Sequence, residues 1–172
     1  MKTGRKLTTI ELEVAIAEYF GIRANLIIPN MYYSYFKHEL DLMILTKSGC
    51  AYEVEIKINV SDLKKDCEKW HGHRDSRIRK LYFAIPESLL KYQEYIPDHA
   101  GIFIVYEITE KYYRVQLGSY QSKTFLRVKK IREAKTTSSY TFSTIDRYKF
   151  ARLAALRIWG LKKKIIQSRK EI

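Results

Sequence analysis

The sequence predicts an α/β domain, because strand-like and helix-like segments alternate along the chain. Residues 38–45 and 51–57 alternate apolar and polar side chains, the period of two that is typical of half-buried strands. Residues 101–106 form a continuous apolar run, which is typical of a strand buried on both faces. Around these strands, apolar residues recur at the three-to-four spacing of helices. A chain of 172 residues can bury a proper core, so we expect one domain over residues 1–172.

The first predicted element is a helix that is capped by Thr8 or Thr9 and stopped by Gly21. Its expected apolar stripe consists of Ile10, Val14, Ala17 and Phe20. Two short strands, residues 26–28 and 31–36, are predicted next. The turn between them is expected at Pro29-Asn30.

The central hairpin joins residues 38–45 to residues 51–57 through a loop in which Gly49 can supply the special backbone angle. If Leu45 pairs with Ala51, Asp41 lies directly across from Glu55. One face of the hairpin then carries Glu39, Asp41, Glu53, Glu55 and Lys57. The other face carries Leu40, Leu42, Ile44, Tyr52, Val54, Ile56 and Ile58.

The rest of the chain continues the alternation of strands and helices. Ser61 is expected to cap a helix over residues 62–70, and residues 80–85 form a strand closed by Pro86. A short helix over residues 86–95 comes next, and the buried strand 101–106 is expected to pair with residues 112–117. A long helix is predicted from residue 144 to about residue 166, with an inward face made of Tyr148, Ala151, Ala155 and Ile158.

The facing carboxylates of the hairpin suggest a metal site. Two carboxylates directly opposite each other, with Cβ atoms about 5 Å apart, repel and destabilise a sheet. A divalent cation between Asp41 and Glu55 would relieve that repulsion, and Mg²⁺ commonly uses one or two carboxylates plus water and phosphate. The alternative interpretation is an amphipathic hairpin whose acidic face is simply solvated.

The charge of the chain is unevenly distributed. Residues 1–110 contain 15 Lys or Arg against 16 Asp or Glu, whereas residues 111–172 contain 17 against 3. A near-neutral part therefore precedes a strongly basic extension that begins at about residue 111. Phosphate backbones are the common partner of such a surface. An anionic membrane surface is the rival, but the basic part contains strand-like segments and no clean amphipathic anchor.

Several functional classes are disfavoured. No run approaches the roughly 20 apolar residues that cross a bilayer, and the chain does not start with a signal-peptide pattern. The two cysteines, Cys50 and Cys67, make no disulfide framework, so we expect a cytoplasmic protein in a reducing compartment without membrane attachment. There is no P-loop, GxGxxG motif or nucleophile elbow.

Asp41, followed on the next strand by Glu55-Ile56-Lys57, resembles the D…(D/E)xK signature of the PD-(D/E)XK nuclease superfamily. The flanking segments are similar to those of the MmcB-like DNA repair family. These segments are Ser61-Asp62-Leu63, Asp66, Lys69-Trp70, Leu81-Tyr82-Phe83-Ala84-Ile85-Pro86 and, more loosely, residues 150–157. The chain departs from the family pattern before Asp41, where Leu40 replaces a small residue, and in the helix, where the motif is offset by one position.

The resemblance implies a restriction-endonuclease-like core, with a central mixed β-sheet flanked by α-helices and a basic C-terminal helix. It also implies metal-dependent hydrolysis of phosphodiester bonds in DNA, with RNA not excluded. Asp41 and Glu55 would hold Mg²⁺ or Mn²⁺, with the carbonyl of Ile56 as a further ligand, and Lys57 would orient the water or stabilise the transition state. The superfamily often carries a Glu on its first helix, which favours Glu13 and leaves Glu11 as the rival.

The basic residues are expected to bind the phosphate backbone, and for Lys64, Lys65 and Lys69 the alternative is a solvated helix face. The expected nucleic-acid-binding residues are Lys64, Lys65, Lys69, Arg127, Lys129, Lys130, Arg132, Lys135 and Arg152. The alternative function is a non-catalytic nucleic-acid-binding protein on the same scaffold. Many such nucleases pair two active sites, so a homodimer stays open.

Overall fold

The computed structural model describes residues 5–32, 36–67, 75–114, 116 and 118–168. Its helices are α1 (Thr9–Phe20), α2 (Val60–Cys67) and α3 (Thr144–Ser168), with a 3-10 helix at Glu87–Tyr95. Its strands are β1 (Leu26–Met31), β2 (Leu40–Leu45), β3 (Ala51–Ile56), β4 (Ile78–Pro86), β5 (Gly101–Arg114) and β6 (Ser119–Arg132). The predicted α/β class is confirmed. None of the described helices combines the length and apolarity needed to cross a membrane.

The strands form one six-stranded mixed sheet whose spatial order follows the chain, from β1 to β6. Strands β1, β2 and β3 are antiparallel neighbours, β3, β4 and β5 are parallel, and β6 runs antiparallel to β5. Helices cover both faces of this sheet. The architecture is the predicted central mixed sheet with flanking helices, consistent with a restriction-endonuclease-like core.

The β2–β3 hairpin has the predicted register. Leu45 lies opposite Ala51, and Leu42 lies opposite Val54. Gly49 adopts φ 83° in the connecting loop, as predicted, and a Cβ there would lie 2.6 Å from the carbonyl oxygen of Phe142. Glycine is therefore required at this position both for the backbone angle and for the close approach of the chain that precedes α3.

Helix α1 packs on one face of the sheet through Leu12, Ala15 and Ile16. The predicted stripe is wrong for Ile10 and Val14, which are 70% and 51% exposed, whereas Phe20 packs against the core as predicted. Apolar residues occur on both sides of this helix, so its periodicity alone could not decide which side the sheet covers. The capping was predicted correctly, because the Thr8 side chain accepts the N–H of Glu11 and Gly21 ends the helix in the left-handed conformation.

The opposite face of the sheet carries two separate apolar clusters. In the first, Phe150 of α3 packs with Met43 and Leu45 of β2. In the second, Leu63 of α2 packs with Leu81 and Phe83 of β4. The predicted inward face of α3 is wrong. Its four members, Tyr148, Ala151, Ala155 and Ile158, are exposed.

Two strand predictions are also wrong. Strand β1 continues through Pro29 and Asn30 to Met31, where a turn was expected. A proline is compatible with this position because β1 is an edge strand. Residues 112–114 do not form a separate strand that returns onto residues 101–106, and residues 115 and 117 of that prediction lie outside the described residues. Strand β5 is instead continuous to Arg114, and its antiparallel partner is β6.

Helix α2 begins one residue before the expected cap. The side chain of Asn59, and not that of Ser61, accepts the N–H of Asp62 at 2.9 Å. The helix therefore starts at Val60, directly after the segment that carries Glu55 and Lys57. The strand at β4, the short helix after Pro86 and the long C-terminal helix were predicted at nearly the observed positions.

Candidate active site

The candidate site lies where β3 ends. Glu53, Glu55 and Lys57 alternate along the chain, so they share one face of the sheet. Glu53 and Glu55 are 0% and 2% exposed, and Lys57 is 8% exposed. The alternative interpretation, a solvated acidic face, is therefore wrong for these residues. They lie in a polar strip between the two apolar clusters of the same sheet face.

The Lys57 ammonium is the centre of the site. Its Nζ lies 2.6 Å from Glu55 Oε2, 3.3 Å from Asp66 Oδ1 and 3.6 Å from Asp41 Oδ2. Burial by itself would lower the pKa of this ammonium, but the charges of Glu55, Asp41 and Asp66 and the hydrogen bond to Glu55 raise the pKa above its ordinary value. Lys57 is therefore held as a cation among three carboxylates.

Asp41 is fixed against β3 by the backbone. Its Oδ2 accepts the N–H of Ile56 at 2.8 Å, so the side chain satisfies a donor at the end of the strand. The carboxylate remains partly exposed, in contrast to Glu55. The Asp41 carboxylate is thus accessible from solvent, while the Glu55 carboxylate is enclosed.

Glu13 and Glu11, the two candidates on α1, have different surroundings. Burial first, and then the negative charge of Asp41, raise the pKa of Glu13. Glu11 instead bonds Arg5 and Thr8, which lower its pKa to about 2. Glu11 therefore belongs to the helix cap, and Glu13 is the one whose pKa responds to the charge of Asp41.

The donor set was tested against a divalent cation. Asp41 and Glu55 already bind one shared cation, the Lys57 ammonium, so their oxygens converge on a position that favours positive charge. In the part of the chain that the structure describes, no three His, Cys, Asp or Glu side chains form a ready metal cluster. Mg²⁺ needs only one or two carboxylates when water and phosphate complete its shell, so Asp41 and Glu55 fit it. The Ile56 carbonyl, predicted as a further ligand, belongs to the residue between Glu55 and Lys57.

Two features of the site were not predicted. Asp66, which is 4% exposed, reaches Lys57 from α2. The sequence could have indicated that Asp66 points inward, because it lies three residues after the buried Leu63 and so on the same side of the helix. The second feature is a buried contact of 2.7 Å between His38 Nε2 and Glu53 Oε1. No spacing rule in the sequence connects these two residues.

The predicted phosphate-binding residues fall into three groups. Lys64 and Lys65 are exposed on α2 beside Asp66, and Lys69 lies outside the described residues. The second group consists of exposed cations on β6, in the segment that follows β6, and on α3. Its members are Arg127, Lys129, Lys130, Lys135 and Arg152. Arg132 differs from these residues because its guanidinium donates to the carbonyls of Ala100 at 2.8 Å and Pro97 at 2.7 Å, and so holds the loop before β5.

Comparison with known proteins gives one family and one structural neighbour. A family model described as DNA repair protein MmcB-like matches residues 28–164. No curated protein sequence matches the chain. The solved structure of the SPO1766 protein of unknown function from Silicibacter pomeroyi is similar with a TM-score of 0.61. The alignment covers 92% of this chain and 94% of that chain at 17% identity, which shows a shared fold.

Proposed function

The chain belongs to the MmcB-like family of DNA repair proteins, and from that premise we propose that it is a metal-dependent nuclease of the PD-(D/E)XK type that hydrolyses phosphodiester bonds in DNA. The observation that supports this proposal is the buried Lys57 ammonium among the carboxylates of Asp41, Glu55 and Asp66. Perturbed, buried charges that converge at the end of a strand are typical of catalytic sites.

Asp41 and Glu55 would hold Mg²⁺ or Mn²⁺, together with the carbonyl of Ile56. When bound, the ion supplies Lewis acidity and lowers the pKa of a coordinated water. The hydrogen bond from the Ile56 N–H fixes the orientation of the Asp41 carboxylate, so this ligand needs no reorganisation on binding. Glu13 of α1 would add a further carboxylate, since the charge of Asp41 acts on its pKa.

Lys57 would stabilise the negative charge that develops on the phosphate. The three carboxylates keep Lys57 protonated, so it acts as a fixed cation and hydrogen-bond donor, and not as a base. Asp66 is a positioning residue in this scheme, because it holds the ammonium from α2 at 3.3 Å. The exposed cations on α2, β6 and α3 would bind the phosphate backbone.

A non-catalytic nucleic-acid-binding protein is the second candidate. One observation favours it: the Lys57 ammonium already pairs with all three carboxylates, and this reduces their mutual repulsion without a divalent ion. In that case the acidic residues would support the fold, and the basic surface would be the functional part of the molecule.

Cleavage of a panel of labelled DNA and RNA structures with Mg²⁺ or Mn²⁺ separates the two candidates. We expect Asp41→Asn and Glu55→Gln each to lower the rate at least about 100-fold, because each removes a ligand of the ion. Binding of the same substrates should change less than about threefold, since the phosphate-binding cations are untouched. Glu39→Gln is the matched control, because Glu39 is an exposed carboxylate two residues from Asp41.

Metal-dependent products that persist in both site variants would contradict the nuclease proposal. The absence of cleavage on any structure, with salt-sensitive binding that is equal in the wild type and the variants, would establish the second candidate instead.

A further inference from the structure

Strands β5 and β6 extend well beyond the rest of the sheet. The β4–β5 ladder ends at Pro86 and Val105, and the later residues of β5 pair with β6 alone. Residues 106–114 and 119–127 thus form a two-stranded ribbon, called the arm below. At about 3.4 Å per residue, the arm projects by roughly 30 Å. From Thr109 to Arg114 every residue of β5 is exposed.

The arm leaves the sheet beside the candidate active site. Glu55 lies opposite Phe83 in the parallel β3–β4 ladder, and Phe83 lies opposite Ile102 in the β4–β5 ladder. Lys57 is therefore at the level of Ile104, two residues before the base of the arm. Because neighbouring strands are about 4.8 Å apart, β5 runs roughly 10 Å from β3 and projects past the end where the site lies.

The two faces of the arm differ in charge. Alternate residues of β5 from Ile102 onward point to the face of the sheet that also carries Glu55, called the site-side face below. On this face of the arm, the register places Arg114, Lys123 and Arg127, with Lys129 at the base. Its acidic residue, Glu110, contacts Arg127 at 3.4 Å. The aromatic residues Tyr112 and Phe125 lie between these cations.

The opposite face anchors the arm or is only weakly charged. At the base, Leu126 packs against the apolar cluster under α1, and Glu107 pairs with Arg5. Further out, Tyr113 and Tyr120 contact edge to face across the two strands. The exposed cation on this face of the arm is Lys111, and Lys130 at the base pairs with Glu133. Positive charge is therefore concentrated on the side that continues from the active site.

The shape and charge of the arm fit one kind of partner. A two-stranded ribbon is narrow enough to enter the major groove of duplex DNA, which is about 12 Å wide. An isolated hairpin is marginally stable in water, so a ribbon of this length gains stability when a partner covers it. A second copy of the chain would place like charges together on the site-side face. The phosphates that flank a groove complement that face instead.

We propose that the arm lies in the major groove of duplex DNA, with its site-side cations on the flanking phosphates, next to the phosphodiester presented to Lys57. The substrate class would then be duplex DNA, and not a single strand. This inference rests on the proposed function for the identity of the partner. Beyond that function, it identifies the arm as the surface that recognises the duplex and places this surface next to the candidate active site.

The test compares two full-length variants that differ in the face they alter. Arg114→Ala/Lys123→Ala removes two site-side cations, and Lys111→Ala removes one cation from the opposite face. We expect the double variant to bind a labelled duplex at least about tenfold more weakly at low salt, with a salt slope smaller by about 1.8, since each phosphate contact contributes about 0.9. Lys111→Ala should change affinity less than about twofold, and single-strand binding should change less than duplex binding in the double variant.

The groove placement has its own measurement. Guanine N7 faces the major groove, so wild-type protein should protect it from dimethyl sulfate and the double variant should not. Duplex affinity equal to wild type in the double variant would overturn the inference, and so would an equal loss for single strands. Missing N7 protection would also overturn it.

The nuclease proposal can fail independently of the arm. If no variant or wild-type protein cleaves, but the double variant still loses duplex binding, the arm proposal stands and the nuclease proposal falls. If Glu55→Gln abolishes cleavage while the double variant binds duplex normally, the nuclease proposal stands and the arm proposal falls.

Discussion

The two parts of the molecule handle charge in opposite ways. In residues 1–110, Glu55 and Asp66 are buried and both contact the buried Lys57 ammonium. In the basic part after residue 110, the cations of β6 and α3 are mostly exposed and spread along the surface. The near-neutral part of the chain thus contains a concentrated cluster of buried charges. The strongly basic part spreads its charges over the surface.

The difference follows from what each arrangement can do. A buried charge destabilises the folded protein unless it is paired, because it loses its hydration. Its electrostatic interactions are strong because water is excluded. Such a cluster suits chemistry on one phosphate. Exposed cations contribute little to stability, but they release counterions when they meet a polyanion. They suit binding along many phosphates.

Removal of the buried cation is expected to give the largest stability effect. Lys57→Ala leaves Asp41, Glu55 and Asp66 in mutual repulsion, so the free energy of unfolding should fall by about 3 kcal/mol. Mg²⁺ should restore more of this loss in the variant than it adds to wild type, because it replaces the missing charge. Urea denaturation with and without Mg²⁺ measures both effects.

The matched control for that prediction is Lys47→Ala, which removes an exposed lysine of the sheet body. It should change stability by less than about 0.5 kcal/mol. If Lys57→Ala were as stable as this control, the acidic cluster would not depend on the ammonium, and the contrast between buried and exposed charge would fail.

Arg132 is an exception to this division. It belongs to the basic part, but its guanidinium donates hydrogen bonds to backbone carbonyls. Arg132→Ala should lower the free energy of unfolding by about 2 kcal/mol, because charge-assisted hydrogen bonds contribute about 1.5–3 kcal/mol. Lys129→Ala, an exposed neighbour on the same strand, should lower it by less than about 0.5 kcal/mol.

The two variants are expected to differ in the opposite order in DNA affinity. Lys129→Ala should weaken binding and reduce the salt slope by about 0.9. A folded Arg132→Ala protein whose salt slope falls by the same amount would show that Arg132 contacts phosphate as well.

The smallest effect is expected at Glu13. Because burial and Asp41 raise its pKa above the ordinary 4.5, the folded protein favours the protonated form. The stability from that form is complete below the unfolded pKa and is lost as the pH rises through the folded pKa. Glu13→Gln should therefore raise the melting temperature slightly at pH 7 and leave it unchanged below the ordinary pKa.

Thermal unfolding across that pH range checks the prediction, with Glu18→Gln as the control on an exposed position of the same helix. An equal effect of both variants at every pH would contradict the raised pKa of Glu13 and the influence of Asp41 on it.

Much of the site could be predicted because its signals are local. The alternation of residues 38–45 and 51–57 and the loop with Gly49 determine the register, and the register brings Asp41 to the end of β3. Glu55 and Lys57 share a face for the same reason. The resemblance then supplied roles for these residues, and those roles stay predictions until cleavage is measured.

The errors occurred where a pattern had two equally regular solutions. In α1, Ile10 and Val14 are spaced as regularly as Leu12 and Ile16, and only the sheet decides that the second pair is buried. In α3, Phe150 is the buried residue, while the predicted Tyr148 and Ile158 are exposed. Helix periodicity identifies a helix, but the neighbouring layer selects its inward face.

Local patterns were enough to predict the α/β class, the hairpin register and the face shared by Asp41, Glu55 and Lys57, because these depend on short-range periodicity and spacing. Only the tertiary structure decided that Asp66 reaches Lys57, that His38 contacts Glu53 and that the arm leaves the sheet beside the site. Each of these depends on which distant segments pack together. That choice follows from burial of the whole apolar surface, which no local pattern encodes.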